Sequence, residues 1–191
     1  MVSLNNFKKS IVVVALAASL AACGDNDSND PVQVVTPPTP EPVSYTFDVT
    51  VSNLTAGQPL SPIAVIAHTE GTLWQIGSPA SVALETMAEG GDNSQLLALE
   101  NAIANASSEG PVGPGVNTTI TLTTDSLEAL KLSLATMMVN TNDGFTGLSA
   151  LDVSSLAVGD SLIRTTVAYD AGTEANTEAA GTIPGPADGG E

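Results

Sequence analysis

The sequence predicts a mainly β fold, an antiparallel β-sandwich with one or two short inserted helices. Three observations lead there. Tyr45-Thr46-Phe47-Asp48-Val49-Thr50-Val51 alternates apolar and polar residues, so Tyr45, Phe47, Val49 and Val51 share one face of a strand. Further runs rich in Thr, Val, Ile and Leu recur between turn residues. No cysteine pair is available to staple the chain, because Cys23 is its only cysteine, so the fold rests on an apolar core or on a core plus a metal ion.

Taken in order, the strand-like runs after Tyr45–Val51 are Ile63 to Ala67, Asn117 to Thr123, Lys131 to Val139 and Ser161 to Val167. The helices are expected between the second and third of these. Ser78-Pro79 suits an N-cap and first turn, and Val82, Leu84, Met87 and Ala88 would form the apolar face as far as Gly90-Gly91. A second start at Asp92 to Ser94 leads into Leu96, Leu97, Leu99, Ile103 and Ala106 at helical spacing. Short helices inserted in a series of strands leave the sandwich as the simplest architecture.

The ends of the chain read differently. Lys8 and Lys9 precede a run of apolar and small residues from Ile11 to Ala22, which suits a secretory leader and is too short to span a bilayer. It ends in Leu20-Ala21-Ala22-Cys23, which resembles the lipobox of bacterial lipoproteins. By that resemblance residues 1–22 are a signal peptide and Cys23 becomes the acylated N-terminus. Several acyl chains, each buried CH₂ contributing about 0.8 kcal/mol, would anchor the protein stably. Gly24, not Asp, follows the cysteine, which by analogy with enteric sorting implies outer-membrane placement in the cell envelope. Residues 23–43, acidic and proline-rich, read as a tether; 44–178 as the folded domain; and 179–191, rich in Gly, Pro and Ala, as a flexible tail.

Charge narrows the partners. The chain carries 21 Asp and Glu against four Lys and Arg, a formal net charge of −17. Lys8 and Lys9 would leave with the signal, so only Lys131 and Arg164 would face all the acids. This balance excludes nucleic acid, which is bound by neutralising phosphates, and adhesion to anionic lipid other than through the anchor. It attracts cations, and it also keeps a surface soluble, which accounts for most of these carboxylates.

Particular stretches carry a family resemblance. Thr141-Asn142-Asp143-Gly144-Phe145, followed by Tyr169-Asp170-Ala171-Gly172-Thr173-Glu174-Ala175-Asn176, is similar to the spondin N-terminal domain. The same order is kept by Leu54-Thr55-Ala56-Gly57-Gln58-Pro59-Leu60-Ser61-Pro62, by Ala67-His68, and by Gly77-Ser78-Pro79-Ala80-Ser81 leading to Ala88-Glu89-Gly90-Gly91-Asp92. The resemblance spans nearly all of 44–178 and implies a spondin-like sandwich with a site for one calcium ion, its ligands corresponding to Asp143, Asp170 and Glu174. Vertebrate members generally have Asp where this chain has Glu174. Calcium takes six to eight hard oxygen ligands at about 2.3–2.6 Å, and acids four apart around Gly172 could deliver two of them with an intervening carbonyl. Read without the family, the same acids are more simply solvated turn residues, and Asn142 and Asn176 either contribute oxygen or only stabilise the turns.

Other chemistry is less well supplied. His68 is the only histidine, too few for a usual structural zinc site in a chain without a free cysteine, and it is expected to pack and hydrogen-bond at a strand end. No G-x-S-x-G elbow or phosphate-cradling glycine loop occurs. Trp74, the single tryptophan, is expected in the core or at its rim. The sequons at Asn53, Asn105 and Asn117 are taken as chance matches in a bacterial lipoprotein. The sequence thus predicts a non-enzymatic, calcium-supported adhesion or interaction module, with extracellular matrix, a surface protein or a glycan as partner. The alternatives are a structural envelope or matrix lipoprotein without a ligand, and a carboxylate-dependent hydrolase, which would need a cleft holding two acids with one pKa raised.

Overall fold

Alternation decides the first long strand. The computed structural model describes residues 2–4, 8–9, 43–177, 181 and 183, so Cys23, the tether as far as Pro42 and nearly all of the tail lie outside the described residues. Two short strands, Val2–Leu4 (β1) and Lys8–Lys9 (β2), precede Tyr45–Ser52 (β3), in which Phe47, Val49 and Val51 are buried as their spacing requires. Its partner Asn117–Thr124 (β6) pairs along the whole length, from Tyr45↔Thr124 to Ser52↔Asn117. Ile120 and Leu122 point inward from β6. The outer face of the pair is polar: Thr50 and Thr119 hydroxyls lie 2.8 Å apart, and Thr121 Oγ1 donates to Asp48 Oδ1 at 2.9 Å. On the other edge of β3 run β1 and β2, and beyond β1 lies Leu162–Arg164 (β9).

The second antiparallel sheet is ordered β10-β8-β7-β4-β5, from Ala168–Asp170 (β10), Gly144–Asp152 (β8), Lys131–Met137 (β7), Ala64–His68 (β4) and Ala104–Ser107 (β5). Every residue of β4 is buried, because both faces of this sheet are covered. Val65, Ala67, Leu132 and Leu134 meet Phe47, Val49, Ile120 and Leu122 of the first sheet and make the sandwich core. Ala64, Ile66, Ala135, Met137 and Phe145 point the other way, onto the helices Val82–Gly90 (α1) and Ser94–Leu97 (α2). A strand covered on two sides reads as a continuous apolar run, and Ile63-Ala64-Val65-Ile66-Ala67 is one.

The expected helices need correction in detail. The α1 N-cap is Ser81, whose Oγ accepts from Leu84 N, three residues after the expected Ser78. Gly91, at φ +70°, closes the helix with its N–H on the Met87 carbonyl. Ala83, Leu84, Met87 and Ala88 form the buried face, whereas Val82 is 68 % exposed. The second helix stops at Leu97, and Ala104–Ser107 is a strand paired with β4 rather than a continuation of the helix. The expected strand Ser161–Val167 forms only at Leu162–Arg164; Thr165 to Val167 then carry the chain from the first sheet to the second, where β10 begins. β8, absent from the sequence reading, pairs with β7 so closely that a Cβ on Gly147 would overlap the Leu134 carbonyl oxygen.

His68 is buried as expected, within a chain of hydrogen bonds that supports an irregularity. The β7–β8 register shifts between Leu132 and Leu134, and Ala150 takes a left-handed φ of +56°. Its N–H donates to Ser133 Oγ at 2.8 Å, and Ser133 Oγ lies 2.8 Å from His68 Nε2. The other ring nitrogen, Nδ1, stands 2.8 Å from the Glu70 carbonyl and must be the donor there.

Candidate metal centre

Strand pairing brings two loops that are distant in the sequence together. β10 lies antiparallel to β8 with Asp170 opposite Gly144 and Tyr169 opposite Phe145, so the loop that enters β8 and the loop that leaves β10 occupy the same end of the sheet. The entering loop is fixed locally. Thr141 Oγ1 donates to the Met138 carbonyl at 2.6 Å and accepts from Gly144 N at 2.9 Å, which turns the chain tightly around Asn142 and Asp143.

Asp143 is 1 % exposed. Its Oδ2 accepts from the N–H groups of Thr173 and Glu174, at 3.0 and 3.3 Å, and its backbone carbonyl accepts from Ala171 N at 3.2 Å. A buried carboxylate is tolerable only when its oxygens are satisfied, and here the facing loop supplies the donors. Asp170 is exposed. Its Oδ1 accepts from Gly172 N at 2.7 Å and its Oδ2 from Asn176 Nδ2 at 2.8 Å, so the side chain is held across its own turn, with Gly172 at φ +70°.

Of the three expected ligands, Asp143 and Asp170 thus sit on adjoining loops. Glu174 reaches Asp143 through its backbone N–H, and its side chain is exposed. Among the described residues no group of three or more His, Cys, Asp or Glu side chains is close enough to hold a metal ion. The remaining donors nevertheless suit a hard cation in type. Thr173 Oγ1 is buried with no hydrogen-bond partner, as is Asn140 Oδ1 at the start of the entering loop. The unpaired Thr173 hydroxyl, on the residue whose N–H caps Asp143, is of the donor type that an oxygen-coordinated ion takes. Neither Thr173 nor Asn140 stood out in the sequence, since an unremarkable turn threonine or asparagine shows its lack of a partner only once the fold surrounds it.

Elsewhere the acids behave as turn residues. Asp92 and Asp152 are held below the usual carboxylate range, Asp92 by hydrogen bonds from Ser94, and Asp152 by hydrogen bonds from Ser154 with a lesser contribution from the charge of Lys131. Asn53, read as a chance sequon, is a buried bracket. Its Nδ2 donates to the carbonyls of Gln58 and Val112, and its Oδ1 accepts from Thr55 N and Thr55 Oγ1. Trp74 is half-buried and packs on Phe145 and Tyr169, with ring centroids 5.1 and 5.4 Å away. Among the described residues no helix is long and apolar enough to cross a membrane.

The fold and its end loops define a two-sheet β-sandwich with an oxygen-rich loop pair. No protein-family model matches the chain, and no curated protein matches it.

Proposed function

We propose that this protein is an envelope-anchored lipoprotein whose spondin-like sandwich is a calcium-supported adhesion or interaction module. The observation that carries the reading is the loop pair at the end of β8 and β10, where a buried Asp143 ties the two loops together beside the unpaired Thr173 hydroxyl. Asp143, Asp170 and Thr173 would hold the ion with loop carbonyls, and Glu174, exposed on the same loop, would add the third carboxylate. Calcium there would supply charge neutralisation and a rigid tie between loops; it would not take part in a reaction. The anchor rests on Leu20-Ala21-Ala22-Cys23, and outer-membrane placement on Gly24. An acidic surface displayed on a tether suits a partner in the matrix, on a neighbouring surface protein or in a glycan.

One observation favours a second reading, a structural envelope lipoprotein in which no ion is needed. The Asp143 carboxylate already caps the backbone of Thr173 and Glu174. Titration calorimetry with calcium on the full chain in detergent separates the two. The first reading expects a saturable one-to-one heat that chelator abolishes, and the second expects none. Capture from envelope and matrix extracts, with calcium and with chelator, would then identify the partner.

A further inference from the structure

The first sheet contains a strand that maturation would remove. Its order is β2-β3-β1-β9, so β1 lies between β3 and β9. Val2, Ser3 and Leu4 stand opposite Val51, Thr50 and Val49 on one side, and opposite Arg164, Ile163 and Leu162 on the other. Among the described residues β9 pairs with no other strand, yet Leu162 is packed against the sandwich core. Val2–Leu4 belongs to residues 1–22, which the lipobox resemblance assigns to a cleaved signal peptide. Cleavage before Cys23 would leave β3 and β9 about 10 Å apart, one strand short of pairing, with an open edge beside the buried Val49 and Val51.

We infer that in the mature chain the tether stretch Val32-Gln33-Val34 takes the place of β1 between β3 and β9. The inference rests on the lipoprotein reading, and the stretch itself lies outside the described residues. Its sequence repeats the apolar–polar–apolar order of Val2-Ser3-Leu4. Val32, Val34 and Val35 are also the only Val, Leu, Ile or aromatic residues between Cys23 and Val43. Direction agrees as well: a segment that precedes β3 and folds back along it runs antiparallel, as β1 does. In the register of β1, Val32 stands opposite Val51, Gln33 opposite Thr50 and Val34 opposite Val49. Residues 35–44 then join Val34 to Tyr45 and reach about 30 Å at roughly 3.1 Å each. The path needs only about 13 Å back along β3 and about 5 Å across to the next strand. Pro37 and Pro38, which cannot donate to a ladder, fall in this connection. Being covalently attached, the stretch has an effective concentration of millimolar order, which favours it over any free strand. Docking leaves residues 24–31 as the free tether, roughly 25 Å long, and holds the domain close to the membrane.

Cys23 is the only cysteine and is blocked once acylated, so an introduced cysteine pair in the mature lipoprotein reports without interference. The pair is Gln33→Cys with Thr50→Cys, and the control is Ser28→Cys with Thr50→Cys. Thr50 suits the purpose because its hydroxyl lies on the outer face, 2.8 Å from that of Thr119. Directly opposed residues of an antiparallel pair are close enough for a disulfide. In a glutathione redox buffer the first pair is expected to close within one molecule at least tenfold more than the control, read from the masses of the cross-linked peptides. Independently, Val32→Asn with Val34→Asn should lower the melting temperature by at least about 5 °C, and Ser28→Asn should leave it unmoved. Closure no greater than the control, or an unmoved melting temperature in the double valine variant, would overturn the inference. Disulfides formed between molecules would overturn it in favour of a strand from a second copy. Intact mass keeps the two readings apart. A purified chain that retains residues 1–22 would remove the lipoprotein reading and this inference with it, whereas a cleaved chain whose pair stays open would remove this inference alone.

Discussion

Replacing Phe47 by alanine tests the sandwich at its centre. Phe47 lies in the middle of β3, 2 % exposed, opposite Leu122 on β6 and within the cluster formed with Val65, Leu132 and Leu134 of the facing sheet. Truncation removes a full ring from between two sheets, where β6 holds β3 by a ladder along its whole length, so the cavity cannot close by local shifts. Such substitutions cost about 3–5 kcal/mol, a large part of the roughly 5–15 kcal/mol that holds a domain folded. At about 3 °C per kcal/mol for a domain of this size, melting should fall by roughly 10–15 °C. Urea unfolding followed by Trp74 emission reads the same loss as a lower midpoint with an unchanged slope. Trp74 lies in the layer on the far side of the second sheet, so its signal also tests whether the layers unfold together. Leu54→Ala, at a 69 % exposed position, is the control and should stay within about 0.5 kcal/mol. A Phe47→Ala midpoint as close to wild type as that of Leu54→Ala would refute the two-sheet core.

Three other outcomes are expected. Gly147→Ala should destabilise as strongly as a core truncation, because its Cβ would overlap the Leu134 carbonyl and push β8 off β7; hydrogen exchange should quicken along that ladder first. Asp92 and Asp152, both with lowered pKa values, contribute stability that is present above the ordinary carboxylate range and lost as pH falls through their folded values. Carboxyl-carbon NMR titration should therefore place both midpoints below those of Asp92 and Asp152 in Ser94→Ala and Ser154→Ala variants, respectively. Cys23→Ser removes the acyl acceptor and should release the protein from the membrane fraction, and retention there would contradict the lipoprotein reading.

What the sequence disclosed follows physical lines. The Tyr45–Val51 alternation was legible because one face of β3 meets the core and the other meets water. β4 was legible as an apolar run for the opposite reason, burial on both faces. Leu96, Leu97, Leu99, Ile103 and Ala106 fit a helix by spacing, yet Ala104 and Ala106 half-bury as alternate residues of a strand because β4 offers a free edge there. β8 escaped notice because Gly144 and Gly147 weaken a strand pattern, and the need for close approach to β7 is invisible until the sheets are packed. Within the candidate site, the acids of the two loops were legible and their adjacency follows the β8–β10 pairing. The exposure of the Glu174 side chain and the unpaired Thr173 hydroxyl depend on packing that no local pattern encodes.

The central claim, a calcium ion held between the loops of Asp143 and Asp170, is tested most directly by the melting temperature of the full chain across a calcium series, with Asp170→Ala and the remote Glu100→Ala alongside. An ion that binds only the folded state raises the melting temperature in proportion to the logarithm of free calcium above its dissociation constant. The account predicts that rise for wild type and for Glu100→Ala, its near-complete loss in Asp170→Ala, and little effect of magnesium, which demands a tighter octahedron and gives up water reluctantly. A wild-type melting curve that neither calcium nor chelator moves would contradict it, and Asp143 would then stand as a buried cap of the Thr173–Glu174 turn alone.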